Sequence, residues 1–213
     1  MILETFAITW VGVIAAQASP GPNLAAVASI ALGDGRRPAL FCVLGIATGM
    51  LVWSLSTALG LTALLDAFPL SLVLLRFIGG AYLFWLAIKA IRSIIQGKPV
   101  TINADTAQRS DSAGFKRGLA VVLTNPKAVM MWAAVATFLF GAGLSAPQVV
   151  AFGPLGAFSG LVVYGFYAWL FSTQAAVKSY ARASRGIEAI FAGAFGLLGG
   201  RLIFDGLQEL RAG

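Results

Sequence analysis

The sequence predicts an all-α integral membrane protein of six transmembrane helices. They form two inverted three-helix repeats, with helices 1 and 4 broken at proline motifs. Three observations predict this. Six long runs almost free of charge fill the chain, in which 59% of the 213 residues are apolar and only 11% are charged. Basic residues gather in alternate links between those runs. The second half of the chain also echoes the first. A soluble domain of this length carries a larger charged surface, whereas about 20 apolar residues cross a ~30 Å hydrocarbon core as a helix.

The runs cover roughly 5–32, 38–64, 69–95, 117–141, 148–176 and 187–208. They leave no room for a separate soluble domain, so residues 1–213 read as one transmembrane domain. Repeat 1 takes about 1–95, a polar loop about 96–114, and repeat 2 about 115–213. The first run contains QASPGPNLAA at 17–26, where Pro20 and Pro22 flank Gly21. Each proline lacks a backbone N–H and clashes with the carbonyl four residues back, so the helix breaks there. The second, third and fifth runs open at or beside Pro38, Pro69 and Pro147, positions where proline is tolerated. The fourth holds LTNPKA with Pro126, and the interval QGKPVTINADTAQRSDSAG at 96–114 is the longest polar one. Small residues at Ala16–Ala18 resemble a signal cleavage site. The residues before them carry Glu4 and no Lys or Arg, which argues against a cleaved signal.

The net charge of +7 does not point to nucleic acid, because of where it lies. Arg36 and Arg37 fall between runs 1 and 2. Lys89, Arg92, Lys98, Arg109, Lys116 and Arg117 surround the link between runs 3 and 4, and Lys178, Arg182 and Arg185 lie between runs 5 and 6. Alternate basic links obey the positive-inside rule. Both termini are therefore expected outside, with loops 33–37, 96–114 and 178–186 cytoplasmic, and the basic links facing anionic lipid. The single Cys42 excludes an internal disulfide and reads as a small buried apolar residue.

The internal repeat shows best where LGIATGMLVW at 44–53 matches LGAFSGLVVY at 155–164, with Trp53 opposite Tyr164. Phe77 and Gly79 align with Phe191 and Gly193, and SPGPN at 19–23 corresponds loosely to TNPKA at 124–128. Gly45 with Gly49, and Gly156 with Gly160, also have the spacing that lets helices approach closely. Three crossings per repeat leave the second copy inverted, an architecture in which substrate binds at the midplane beside interrupted helices.

Pro20, Pro22 and Pro126 should free the carbonyls of Ala16, Ala18 and Val122. A half-helix starting near Leu24 would present free N–H groups to a carboxylate, while the freed carbonyls suit an ammonium. Lys127 lies ten residues beyond Arg117, roughly 15 Å into the membrane at 1.5 Å per residue. An ionisable group at that depth is a functional candidate. It can hold a substrate carboxylate or carry a proton, and both roles stay open. Asn23 and Asn125 are polar partners beside the breaks, or helix caps. Asp34 follows the broken helix and is the carboxylate candidate for proton coupling. Arg76 and Arg201 are expected to snorkel to the interface. The chain has no histidine, and no metal-ligand cluster, paired central carboxylates or nucleophile–base pair is evident. Ser19 would have only Lys127 as a base. No metal, cofactor or enzymatic activity is expected.

SPGPN, GDGRRPAL, LGIATG, RFIGGAYLFWLAIKAIR and LTNPKA together resemble the LysE/RhtB family of amino-acid exporters. The resemblance implies a bacterial inner-membrane protein that expels amino acids or derivatives, driven by the proton gradient. It makes Pro20, Gly21, Pro22, Asn23, Asn125, Pro126 and Lys127 the substrate-binding motif residues. Many relatives carry Asp where this chain has Asn23, and Pro-Gln-Phe where it has TFLFGAGLSAPQ. The missing carboxylate leans the reading toward neutral amino acids. An ion or metal permease on the same scaffold is the alternative. Nothing in the sequence specifies an interface between copies, and a homodimer stays open.

Overall fold

The computed structural model describes residues 2–68, 71–96 and 109–212. Eight helices make up these segments: α1 (Ile2–Ala18), α2 (Pro22–Gly33), α3 (Arg36–Ala67), α4 (Ser71–Gln96), α5 (Asp111–Thr124), α6 (Pro126–Gly141), α7 (Ala146–Leu170) and α8 (Gln174–Ala212). Among the described residues four stretches are long and apolar enough to cross a membrane: α3, Val73–Gln96 of α4, α7 and Gly186–Glu209 of α8. The pairs α1–α2 and α5–α6 bend by 50° and 62° at short breaks. Counting each bent pair as one crossing gives up to six spans. Large apolar side chains cover the exterior, among them Leu51, Leu55, Phe158, Phe166, Leu197 and Phe204. That coat suits hydrocarbon, which is as apolar as leucine.

Glycine sets the closest approaches. Gly45 of α3 faces the Phe115 carbonyl of α5, and Gly118 of α5 faces the Cys42 carbonyl of α3. A Cβ at either would overlap backbone, so the two helices meet main chain to main chain, as small residues permit in lipid. Cys42 is buried here, as its size and polarity lead one to expect. Helix α4 runs along α8 and α3 along α7. These pairs cross where Gly80 faces Gly199 and where Gly160 faces Met50. Gly79 and Gly193 align in sequence but are not equivalent in packing. Gly79 lies against Ala134 of α6, whereas a Cβ at Gly193 would meet open space.

Several expected boundaries move. The link 178–186 is part of α8, which starts at Gln174; its Ala, Lys and Arg residues are good helix formers, and the actual link is Phe171–Ser172–Thr173. Arg36 and Arg37 form the first turn of α3, so only Asp34 and Gly35 of 33–37 lie outside helix. Residues 97–108 of the expected 96–114 loop, including Lys98, lie outside the described residues, as do 69–70 with Pro69; positions 111–114 already belong to α5. Pro38 and Pro147 sit in the first turns of α3 and α7. Pro154 lies inside α7 without ending it.

The two ends of the bundle differ in charge. Arg36 Nε donates to Ser172 Oγ at 3.0 Å, Arg37 pairs with Asp111 at 2.8 Å, and Arg109 pairs with Asp34 at 3.0 Å. Three links thus meet at one end. Glu4 near the start of the chain and Glu209 near its finish line one cavity at the other.

Candidate functional site

The first break spans Ser19, Pro20 and Gly21, between the last residue of α1 and the first of α2. Gly21 caps α2 in an extended conformation, and Pro22 takes the first helical position, where a missing N–H costs nothing. The second break is the single residue Asn125, after which Pro126 starts α6. Asn125 Oδ1 accepts from the backbone N–H of Lys127 at 3.0 Å, so this asparagine is an N-cap. Its Nδ2 donates to Asn23 Oδ1 at 3.2 Å, and Asn23 Nδ2 donates to Tyr164 Oη at 3.4 Å. A continuous polar chain therefore ties the second break to the first, and on to α7.

Each carbonyl that a proline sets free has found a donor. Ala16 O accepts from Lys127 Nζ at 3.1 Å and from Ser19 Oγ at 3.0 Å. Ala18 O accepts from Tyr167 Oη at 2.8 Å, and Val122 O from Trp53 Nε1 at 3.1 Å. Satisfaction is obligatory, because an unpaired carbonyl in hydrocarbon costs several kcal/mol. The sequence-based expectation is that the freed carbonyls suit a substrate ammonium. In this conformation the protein's own side chains take them, and a lysine ammonium rests on Ala16 O.

Lys127 Nζ also donates to Ser19 Oγ. The serine hydroxyl itself donates to Ala16 O at 3.0 Å, which aims its proton at a carbonyl rather than at Lys127. A side chain begun at Gly21 would start 3.6 Å from Lys127 Nζ, which places the ammonium beside the N-terminus of α2. The N-terminal turn of α6 faces the same cavity with Lys127 and Ala128. Two helix N-termini, each worth about half a positive charge, thus converge with one lysine. Such a place attracts an anion.

The cavity holds Gly21, Asn23, Asn125 and Lys127 together with Gln17 and Tyr164. Pro20, Pro22 and Pro126 bend the backbone around it and are absent from its wall. Asp34 is not brought to it. That residue caps the far end of α2, about 18 Å along a twelve-residue helix, with its carboxylate buried against Arg109. Arg76 does not snorkel as expected. It is buried, donates to Gly141 O at 3.1 Å and pairs with Glu209, because the exposed C-terminal carbonyls of α6 lie within its reach. Arg201 does reach outward, with 60% of its side chain exposed.

Sequence reasoning missed Gln17, whose Nε2 donates to Gly156 O at 2.8 Å, and the aromatic donors Trp53, Tyr164 and Tyr167. The match of Trp53 with Tyr164 in the repeat was the available signal. At about 20 Å³ the cavity has room for about one water, too little for an amino acid. Among the described residues no group of three His, Cys, Asp or Glu is placed to hold a metal ion.

Comparison with known proteins gives the family. The sequence profile of the LysE type translocators matches residues 14–206. The chain belongs to that family. LysE type translocators are transporters rather than enzymes. The chain is 27% identical over 202 residues to the threonine efflux protein of Salmonella typhi, covering 92% of this chain and 97% of that one. It is 29% identical over 189 residues to the threonine efflux protein of Escherichia coli (strain K12), covering 86% and 91%. The leucine efflux protein of Enterobacter sp. (strain 638) is 28% identical over 180 residues, covering 84% and 83%. No solved structure matches this LysE type translocator.

Proposed function

We propose that the chain exports small neutral amino acids or close derivatives across the bacterial cytoplasmic membrane, by alternating access coupled to the proton gradient. One observation carries the reading: the N-termini of α2 and α6 and the ammonium of Lys127 converge on one cavity between the two breaks. The relatives named for threonine and leucine efflux support the substrate class. Asn23, neutral and engaged with Asn125 and Tyr164, supports a substrate without a cationic side chain.

The geometry supports a displacement mechanism. The substrate carboxylate binds the two helix N-termini and draws Lys127 off Ala16 O. The vacated carbonyl then accepts the substrate ammonium in the place the lysine held. A cavity of about 20 Å³ requires α1–α2 or α5–α6 to move before an amino acid enters, which is the task of a gated site. The proposal takes the chain as six spans in two inverted repeats, a reading supported by the packing of α3 on α7 and of α4 on α8. Arg36, Arg37 and Arg109 gathered at one end support a cytoplasmic placement of that end, with both termini outside. Proton coupling is assigned to Lys127 at the cavity or to Asp34 in its pair with Arg109.

The test is counterflow of radiolabelled amino acids, threonine and leucine first, in proteoliposomes holding the full chain. Exchange of at least one neutral amino acid is expected, falling about 100-fold in Lys127→Met. Exchange undiminished in that variant refutes the site. Under an imposed proton gradient, Asp34→Asn should still exchange but lose uphill transport if Asp34 carries the proton; unchanged uphill transport assigns the proton to Lys127.

A further inference from the structure

At the end that carries both termini lies a cavity of about 580 Å³, far larger than the space between the breaks. Its volume falls within the range of small-molecule sites, roughly 300–1,000 Å³. Its wall carries charges of both signs: Glu4, Arg76, Arg201, Asp205 and Glu209. Arg76 is spent on Gly141 O and Glu209 and forms the floor. Arg201 stands differently. Its nearest carboxylate, Asp205, is 4.0 Å away, and its guanidinium lies 5.7 Å from the centre of the Phe138 ring.

The cavity connects to the breaks through shared wall residues. Phe138 and Leu202 line both it and an apolar space of about 30 Å³ between α1, α4, α6 and α8. Met131 lines both that space and the cavity at the breaks. Three separate spaces therefore adjoin between Lys127 and the terminal end, divided by Met131, Phe138 and Leu202; Leu198 lines the middle one, and together these side chains are the plug between the two ends. Met131 and Leu198 are flexible side chains, and Gly12 of α1 faces Leu198 across the seam, so the plug can shift without moving backbone. At the other end the main-chain contact of α3 with α5 and the Arg109–Asp34 pair make a firmer seal.

From this we infer a second, outer amino-acid site in the terminal-end cavity, joined to the helix breaks by the Met131–Phe138 seam. Arg201 takes the carboxylate of the zwitterion there, and the carboxylates of Glu4 and Asp205 take its ammonium. The inference rests on the export reading for its direction, and on the cavity for its chemistry. A site of both charges at the mouth holds a departing zwitterion without trapping it, since each contact is half-open to water and weakened by it.

The experiment uses the full chain in proteoliposomes with Cys42→Ala, which removes the native thiol, and Gln208→Cys, which puts one in the cavity wall. A membrane-impermeant methanethiosulfonate is added from the face that carries the termini. A transported amino acid is expected to slow the modification severalfold. Arg201→Gln should abolish this protection, Arg201→Lys should restore part of it, and the KM measured from that face should rise about tenfold in Arg201→Gln, as for loss of one charge-assisted hydrogen bond. The KM from the opposite face should stay unchanged. Equal modification rates with and without saturating amino acid overturn the outer site. Protection by amino acids in a protein that exchanges none of them supports the outer site and overturns the export reading. Exchange without protection does the reverse.

Discussion

The two helix breaks occupy comparable places in the two halves of the chain, yet they are held by opposite means. The break at Asn125 is one residue long and is held mainly from within: the asparagine caps α6 with its own side chain, α5 below it is locked against α3 through Gly45 and Gly118, and Val122 O alone takes a side-chain donor from the other half, Trp53. The break at Ser19–Gly21 is three residues long and depends on the other half. Lys127 holds Ala16 O, Tyr167 holds Ala18 O, and Asn125 holds Asn23. Only Ser19 contributes locally. A segment whose main chain is satisfied by side chains from elsewhere can be released when those side chains find another partner. On the proposed mechanism, the difference assigns the first break the part that works and the second the anchor that carries its latch.

The largest effect expected from breaking this asymmetry is that of Lys127→Met. Losing an ionic contact worth up to roughly 3 kcal/mol lowers exchange about 100-fold, while the protein still inserts and folds, because Met fills the space and Ser19 still reaches Ala16 O. Counterflow in proteoliposomes measures it. Exchange within threefold of the wild type would reassign the latch.

Next come the two arms. In Gly118→Ala the new methyl meets the Cys42 carbonyl, a backbone atom that cannot turn aside; overpacking of this kind costs about 2 kcal/mol. In Gly12→Ala the methyl meets Leu198 Cδ1 at 2.7 Å, the tip of a flexible side chain, and the cost should be well under 1 kcal/mol. Thermal unfolding in detergent compares the two. Equal losses would mean that the α1 arm is packed as firmly as the α5 arm, and the division into anchor and moving part would fall.

The asparagines sharpen the contrast. Asn125→Ala removes a helix cap and should cost about 1 kcal/mol of stability. Asn23→Ala removes no cap, since Gly21 occupies that position of α2, and should be milder in unfolding while still lowering exchange. The reverse order of stability would show that the first break is the structural one.

Much of this was legible in the sequence, and the reason is local. Pro20, Pro22 and Pro126 act on carbonyls four residues back in their own chain, so the positions of the breaks and the freed groups follow from covalent geometry alone. Lys127 stood out because its depth can be counted from Arg117. The partners of the freed carbonyls were not legible in the same way. Tyr167 reaches Ala18 from 149 residues away and Trp53 reaches Val122 from 69, and no count along the chain brings them together. Arg76 was misjudged for a related reason: its depth predicts an escape to the interface, but the carbonyls at the end of α6 offered nearer acceptors. The basic stretch 178–186 was misread as a loop because charge marks a side of the membrane, and says nothing against helix.

The smallest effect is the most discriminating. Tyr167→Phe and Trp53→Phe each remove one donor from a freed carbonyl, Ala18 O in the working break and Val122 O in the anchor. Hydrogen bonds inside membranes are worth about 0.6 kcal/mol on average, so both variants should unfold only slightly earlier than the wild type. Their exchange rates should part company. Loosening Ala18 O removes one restraint on the segment that must open, so Tyr167→Phe should exchange at least as fast as the wild type at saturating substrate. Trp53→Phe loosens the arm that positions Lys127, and should exchange more slowly. If the tyrosine variant is the slower of the two, the restraint on the first break is one the transport cycle keeps, and the moving part must be sought at Asn125.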